Sequence, residues 1–220
     1  MENNRYANIG KGSIVEEGIF VRFPELVPAS LENYWNSKKH KKLLIVGESN
    51  YFDDDVDSVF KDSQAWYTGA HKQHLIPEGK KEDVSNFKGY KTFDRLCKSM
   101  NEVLNETLCE HVYEEAMFYN YFLRPATNRE NIRSCRTQLG RDIAGSALNG
   151  IIDLDHPDVV IFISKYAFLE FNKYMTSNRL SYDIPIDFIN HPAIHFSWNH
   201  RNGNGKQKFE KLLREYWIVK

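Results

Sequence analysis

The hydrophobic positions of this chain fall into two alternating kinds of segment. Short unbroken apolar runs, Leu43 to Val46, Ala116 to Tyr119, Val159 to Ile163 and Ile186 to Ile189, have the length and content of buried strands. Between them, apolar residues recur at helical spacing. Phe93, Leu96, Cys97, Met100, Val103 and Leu104 share one face, and Ile132, Cys135, Leu139, Ile143, Ala147, Leu148 and Ile151 mark a long helix. Ala167, Phe168, Phe171 and Met175 define a shorter helix, and Phe209, Leu212, Leu213, Tyr216 and Trp217 a closing one. Strands alternating with helices predict a parallel sheet covered on both faces, here a three-layer α/β/α sandwich around a four-stranded sheet.

The remaining segments are less regular. Residues 1–40 carry one short apolar piece, Gly18-Ile19-Phe20-Val21, prolines at 24 and 28, and Ser30 as N-cap of a helix through Trp35. They are expected to form an N-terminal extension packed on a domain of residues 41–220. Tyr51 to Tyr90 is long, polar and aromatic, the pattern of a functional or partly helical loop.

Composition adjusts this picture in three ways. At 220 residues one compact domain is expected, and its 41% hydrophobic content includes 14% aromatic residues, so large rings supply much of the core. No run approaches the roughly 18 apolar residues of a membrane span. Met1-Glu2-Asn3-Asn4-Arg5 opens without the apolar stretch of a secretory signal. Cys97, Cys109 and Cys135 lack CxxC spacing and read as reduced thiols of a cytoplasmic protein. A net charge of -1 excludes a strongly cationic nucleic-acid coat, yet leaves two local basic groups: Lys38, Lys39, Lys41 and Lys42, then Arg201, Lys206, Lys208, Lys211 and Arg214.

In open α/β sheets, ligands bind outside the carboxyl ends of the strands. That rule sets Glu48, Ser49 and Asn50 opposite His191. Glu48 is a candidate to position or deprotonate a water with Ser49 as its hydrogen-bond partner, although the same residues suit a helix N-cap. Asn120 carries both a donor and an acceptor, which suits an amide-like edge such as that of a pyrimidine, or its own turn. His191 suits donation to an oxygen that gains negative charge, or a structural bond to a loop carbonyl. His191, His195 and His200 lack the helical spacing of a zincin pair, so no metal is expected. Arg201-Asn202-Gly203-Asn204-Gly205-Lys206 suits a phosphate held on backbone N–H groups, or a simple turn.

Taken together, the strand ends resemble the uracil-DNA glycosylase superfamily, which has a four-stranded parallel sheet between helices. The family's first motif begins Gly-x-(Asp/Asn/Ala)-Pro and its last is His-Pro-Ser. The similar segments here are Gly47-Glu48-Ser49-Asn50-Tyr51 and His191-Pro192-Ala193. Asn120 matches the family Asn that reads the uracil edge, and His156-Pro157-Asp158-Val159-Val160-Ile161-Phe162 is similar to the third unit. The resemblance runs from about residue 41 to 217.

It implies base excision in DNA repair: hydrolysis of the N-glycosidic bond of uracil or another damaged base, in single- or double-stranded DNA, after the base leaves the stack. A monomer without a cofactor is expected. In these terms Asn120 selects the base and Tyr51, Phe52, Trp66 or Tyr67 stacks on it. His191 stabilises charge on the leaving base, while Glu48 orients water. Ile194-His195-Phe196 is the wedge that fills the vacated stack, and Arg201, Lys206 and Lys208 contact phosphates. The sequence also departs from the pattern. The water-positioning Asp of one branch falls at Ser49, Asn50 replaces the proline, and Ala193 replaces the serine. Glu48 matches a Gly-Glu-(Ala/Gly)-Pro-Gly branch with a four-cysteine iron–sulfur site, which this chain's cysteines do not supply. Two other readings stand open: a catalytically weak nucleic-acid or nucleotide binder, and a hydrolase of a small N-glycoside.

Overall fold

A computed structural model of the chain describes residues 5–12, 16–28, 30, 32–52, 63–68, 91–107, 112–127, 132–133, 137–199 and 204–219. In chain order these form α1 (Ile19–Arg22), α2 (Glu32–Asn36), β1 (Leu43–Phe52), α3 (Ser63–Tyr67), α4 (Lys91–Leu104), α5 (Val112–Glu115) and β2 (Met117–Thr127). There follow α6 (Gln138–Asp155), β3 (Val159–Phe162), α7 (Lys165–Asn178), β4 (Ile186–Phe188), α8 (His195–Asn199) and α9 (Gly205–Leu212), which widens into a π-type turn, Leu213–Trp217.

The sheet has the order β2-β1-β3-β4 with every pairing parallel, and helices cover both faces. It is the expected three-layer α/β/α sandwich. Alternation along the strands sorts the apolar residues between the layers. Leu44, Val46, Tyr119, Tyr121, Val160 and Phe162 pack toward α6 and α7, meeting Ile143, Leu148, Ile151, Ala167 and Phe171. Leu43, Ile45, Val159 and Ile161 pack toward α4 and α9, meeting Leu96, Met100, Phe209, Leu213 and Trp217. The N-terminal residues Tyr6, Ile19, Phe20, Phe23 and Tyr34 belong to the first of these layers. Each such side chain, taken fully out of water, contributes about 1.5–3 kcal/mol.

Two strands run further than their apolar runs. β1 continues past Val46 to Phe52, and β2 continues past Asn120 to Thr127. The two extensions, polar on β1 and largely apolar and buried on β2, pair with each other, Ser49↔Phe122, Tyr51↔Ala126 and Phe52↔Thr127, beyond the last β1–β3 pair, Val46↔Phe162. The register slips between Ser49 and Tyr51. Pro125 lies in the irregular stretch, and an edge strand at a bulge is where a residue without an N–H is tolerated. Glu48, Ser49 and Asn50 therefore stand on a two-stranded ribbon and not in a loop after the strand.

Caps set the helix starts. Thr137 Oγ1 accepts from Gly140 N at 3.1 Å at the head of α6, so that helix begins after Ile132, which is buried ahead of it. His156 and Arg179 end α6 and α7 in the left-handed conformation. Among the described residues no helix is long and apolar enough to cross a membrane. Cys97 is a buried thiol outside any disulfide among the described residues, whereas Cys109 and Cys135 lie outside the described residues.

Candidate functional site

The carboxyl ends of the strands bring four segments together: Gly47–Asn50 of β1, Asn120 of β2, Ser164 after β3 and Asn190–Pro192 after β4. Glu48 continues the face of Leu44 and Val46, which is the side of α7. There Arg133 grips it in a fork, Nε donating to Oε1 at 3.1 Å and Nη2 to Oε2 at 2.9 Å. Ser164 Oγ donates to Oε2 at 2.5 Å. The same Ser164 oxygen is the N-cap of α7 and accepts from Ala167 N at 3.2 Å, so its proton is committed to Glu48. A carboxylate offers about four acceptor sites, and among the described residues these bonds leave one of them, on Oε1. Arg133 lies over the Tyr166 ring at 5.0 Å, and Tyr166 stacks on Phe122 with centroids 5.6 Å apart. The hydrogen bonds that Arg133 donates to Glu48 raise its pKa and keep it charged.

Asn120 lies on the opposite face of the ribbon, the face of Phe118. Its register partner is Gly47. A Cβ at position 47 would overlap Asn120 Oδ1 and the Phe118 ring, so only glycine lets the amide settle over the strand. Asn120 Nδ2 donates to Asn50 Oδ1 at 2.8 Å, which orients the amide.

His191 Nδ1 accepts from Ala193 N at 3.2 Å. A protonated Nδ1 could not accept, so this geometry selects the neutral ring with its hydrogen on Nε2. Burial lowers the pKa of His191, and the opposing pull of the Glu48 charge is the smaller effect. The loop is held by Arg95, whose Nη1 donates to Pro192 O, and by the close approach of α9: a Cβ at Gly205 would fall 2.9 Å from Asn190 O.

Several expectations are corrected. Ser49 is not the partner of Glu48, because adjacent strand residues face opposite ways; Arg133 and Ser164 take that part. Trp66 and Tyr67 do not offer faces to a base. Trp66 is buried flat against Phe23 at 4.6 Å with Tyr67 edge-on at 5.0 Å, and both rings belong to the core. Lys206 is paired with Glu102 at 2.6 Å and Glu210 at 3.5 Å, and Lys208 with Asp187 at 2.7 Å. Both pairs are partly solvent-exposed, and they leave the expected phosphate contacts of these lysines open. Asn204 Oδ1 accepts from Gln207 N at 3.2 Å, so the described part of the Gly/Asn stretch caps α9 with its own side chain.

Ile194 and Phe196 are 57% and 70% exposed beside the His191 loop, and His195 is exposed between them. The side chains of Tyr51 and Phe52, together with His200 and Arg201, lie outside the described residues. No cluster of three or more His, Cys, Asp or Glu suited to a metal occurs among the described residues.

Sequence reasoning missed Arg133, Ser164 and Tyr166. Ser164 had a local signal, a serine between an apolar strand and a helical repeat. Arg133 had none, since 85 positions separate it from Glu48. The fold and the site together define a three-layer α/β/α protein with a polar cluster at the carboxyl ends of its parallel strands. No protein-family model matches this chain, and no curated protein matches it.

Proposed function

We propose that the protein is a DNA glycosylase-like hydrolase that cleaves the N-glycosidic bond of uracil or another damaged base. The observation that carries this reading is the held Glu48 carboxylate, with one acceptor left on Oε1, beside a neutral His191. A water on that acceptor is oriented toward a sugar carbon, and the fixed negative charge favours a transition state with positive charge on the sugar. His191 Nε2–H donates to the base oxygen that becomes negative as the bond breaks. Asn120 meets the polar edge of the base through its remaining N–H and Oδ1. Because Asn120 and Glu48 occupy opposite faces of the ribbon, the nucleotide lies across the end of β1, base toward Asn120 and sugar toward Glu48. Ile194 and Phe196 supply the exposed apolar surface that replaces an extruded base.

The test is excision from labelled oligonucleotides carrying uracil, hypoxanthine or xanthine, single- and double-stranded, with alkaline cleavage reporting abasic sites. Product that disappears in Glu48→Gln and His191→Ala supports the reading. Product that persists in both variants sinks it. A second reading, hydrolysis of a free nucleoside, is favoured by the carboxylate partners of Lys206 and Lys208, which compete with phosphate. Turnover of nucleosides with little salt dependence would select it.

A further inference from the structure

We infer that Arg133 is the positioning residue of this site: its fork, with the Ser164 hydroxyl, fixes the Glu48 carboxylate so that a single Oε1 acceptor faces the cleft. The role this gives Glu48 rests on the N-glycoside reading; the geometry does not.

Each oxygen of Glu48 is held from a different direction, which stops the carboxylate from turning about its last bond. A carboxylate free to turn would offer a water several places; this one offers one. The fork is itself braced. The guanidinium rests on Tyr166, and Tyr166 rests on Phe122, a buried residue of β2, so the stack ties Arg133 to the sheet. Arg133 is 54% exposed. Exposed ion pairs contribute little to stability, so a stability role explains neither the two-point bond nor the stack. A planar guanidinium serves geometry, giving two parallel bonds in a fixed plane, which an ammonium group does not reproduce. Glu48 is also the charged group that acts on His191. Arg133 thus sets both where Glu48 points and how much of its charge His191 feels.

The test follows the His191 ring by NMR through a pH titration in four proteins: wild type, Arg133→Gln, Glu48→Gln and the double variant. Arg133→Gln is expected to raise the His191 midpoint while Glu48 is present, because the carboxylate loses its counter-charge. In the Glu48→Gln protein the same change is expected to move the midpoint by less than half as much, about additivity being the mark of independent sites. Equal movement in both backgrounds would make Arg133 a distant charge and overturn the inference, as would no movement in either. Excision is scored separately. Where the wild type excises, Arg133→Gln is expected to lower kcat about tenfold or more and leave KM near its original value, and an unchanged kcat overturns the inference. A wild type that excises nothing overturns the base-excision reading, while the titration still decides whether Arg133 acts through Glu48.

Discussion

Ser164→Ala removes one oxygen that serves two structures. As N-cap of α7 it accepts from Ala167 N, and loss of such a cap costs about 1 kcal/mol. As donor to Glu48 it makes a charge-assisted bond, a kind worth about 1.5–3 kcal/mol when buried. Glu48 is partly exposed and keeps both bonds from Arg133, so the lower end of that range applies, and about 1 kcal/mol remains after discounting for solvent. The expected total is about 2 kcal/mol. For a chain of 220 residues that is a fall in Tm of about 4–8 °C. Urea unfolding of Ser164→Ala, Glu48→Gln and the pair resolves the two parts. Once Glu48→Gln has removed the carboxylate, the serine should contribute only its cap, about 1 kcal/mol, leaving a coupling of about 1 kcal/mol between the sites. Ser164→Thr keeps the hydroxyl and should retain most of the stability. A Ser164→Ala protein within about 0.5 kcal/mol of wild type, the scatter of ordinary surface changes, would refute the idea that this hydroxyl joins helix and carboxylate.

Three further expectations rest on particular contacts. Gly47→Ala forces a methyl group into Asn120 Oδ1 and the Phe118 ring, and overpacking of this kind costs about 1–3 kcal/mol, read by urea unfolding, with a shifted Asn120 side-chain amide signal in NMR. Glu115→Ala strips the buried His40 of its Nε2 partner at 2.6 Å and Asn33 of its partner at 3.0 Å, and leaving a buried donor unsatisfied costs about 1–3 kcal/mol; a loss near zero would mean that water replaces the carboxylate. The pH dependence of His191 has a definite sign. Its folded pKa lies below the ordinary value, so the unfolded chain takes the proton first, stability falls as pH drops below about 6.5, and the loss levels off below the depressed folded midpoint. Above that window this group adds no slope. Unfolding of wild type and His191→Gln between about pH 7.5 and pH 5 should show the steeper decline in wild type, and parallel curves would count against it.

Strand and helix identity was legible because it rests on local pattern. Leu43 to Val46 and Val159 to Ile163 are short, apolar without a break and rich in β-branched residues, the combination that favours a buried strand over a buried helix turn. What escaped was set by partners far along the chain. The polar residues Glu48 to Phe52 have no strand pattern of their own and are extended because β2 pairs with them. Trp66 and Tyr67 sit in a polar neighbourhood that suggests a surface loop, and the ring that buries Trp66 is Phe23, far upstream. The carboxylate partners of Lys206 and Lys208 escaped as well, because Glu102 and Asp187 lie on other elements. At the site, Glu48, Asn120 and His191 were singled out by the rule that ligands bind outside the carboxyl ends of the strands. Their orienting partners, Arg133, Ser164 and Asn50, depend on side-chain geometry that no spacing encodes.

The slip in the β1–β2 ladder has a consequence beyond the shape of the cleft. A parallel sheet ends in two strands whose outer backbone groups invite another molecule to add to the row. β4, from Ile186 to Phe188, is too short to template a partner. β2 is long enough, but Pro125 supplies no N–H and the slip bends the strand beside it. Neither border therefore presents the flat, continuous run of donors on which chains stack into fibrils. The register slip beside the ribbon thus also guards the β2 border of the sheet.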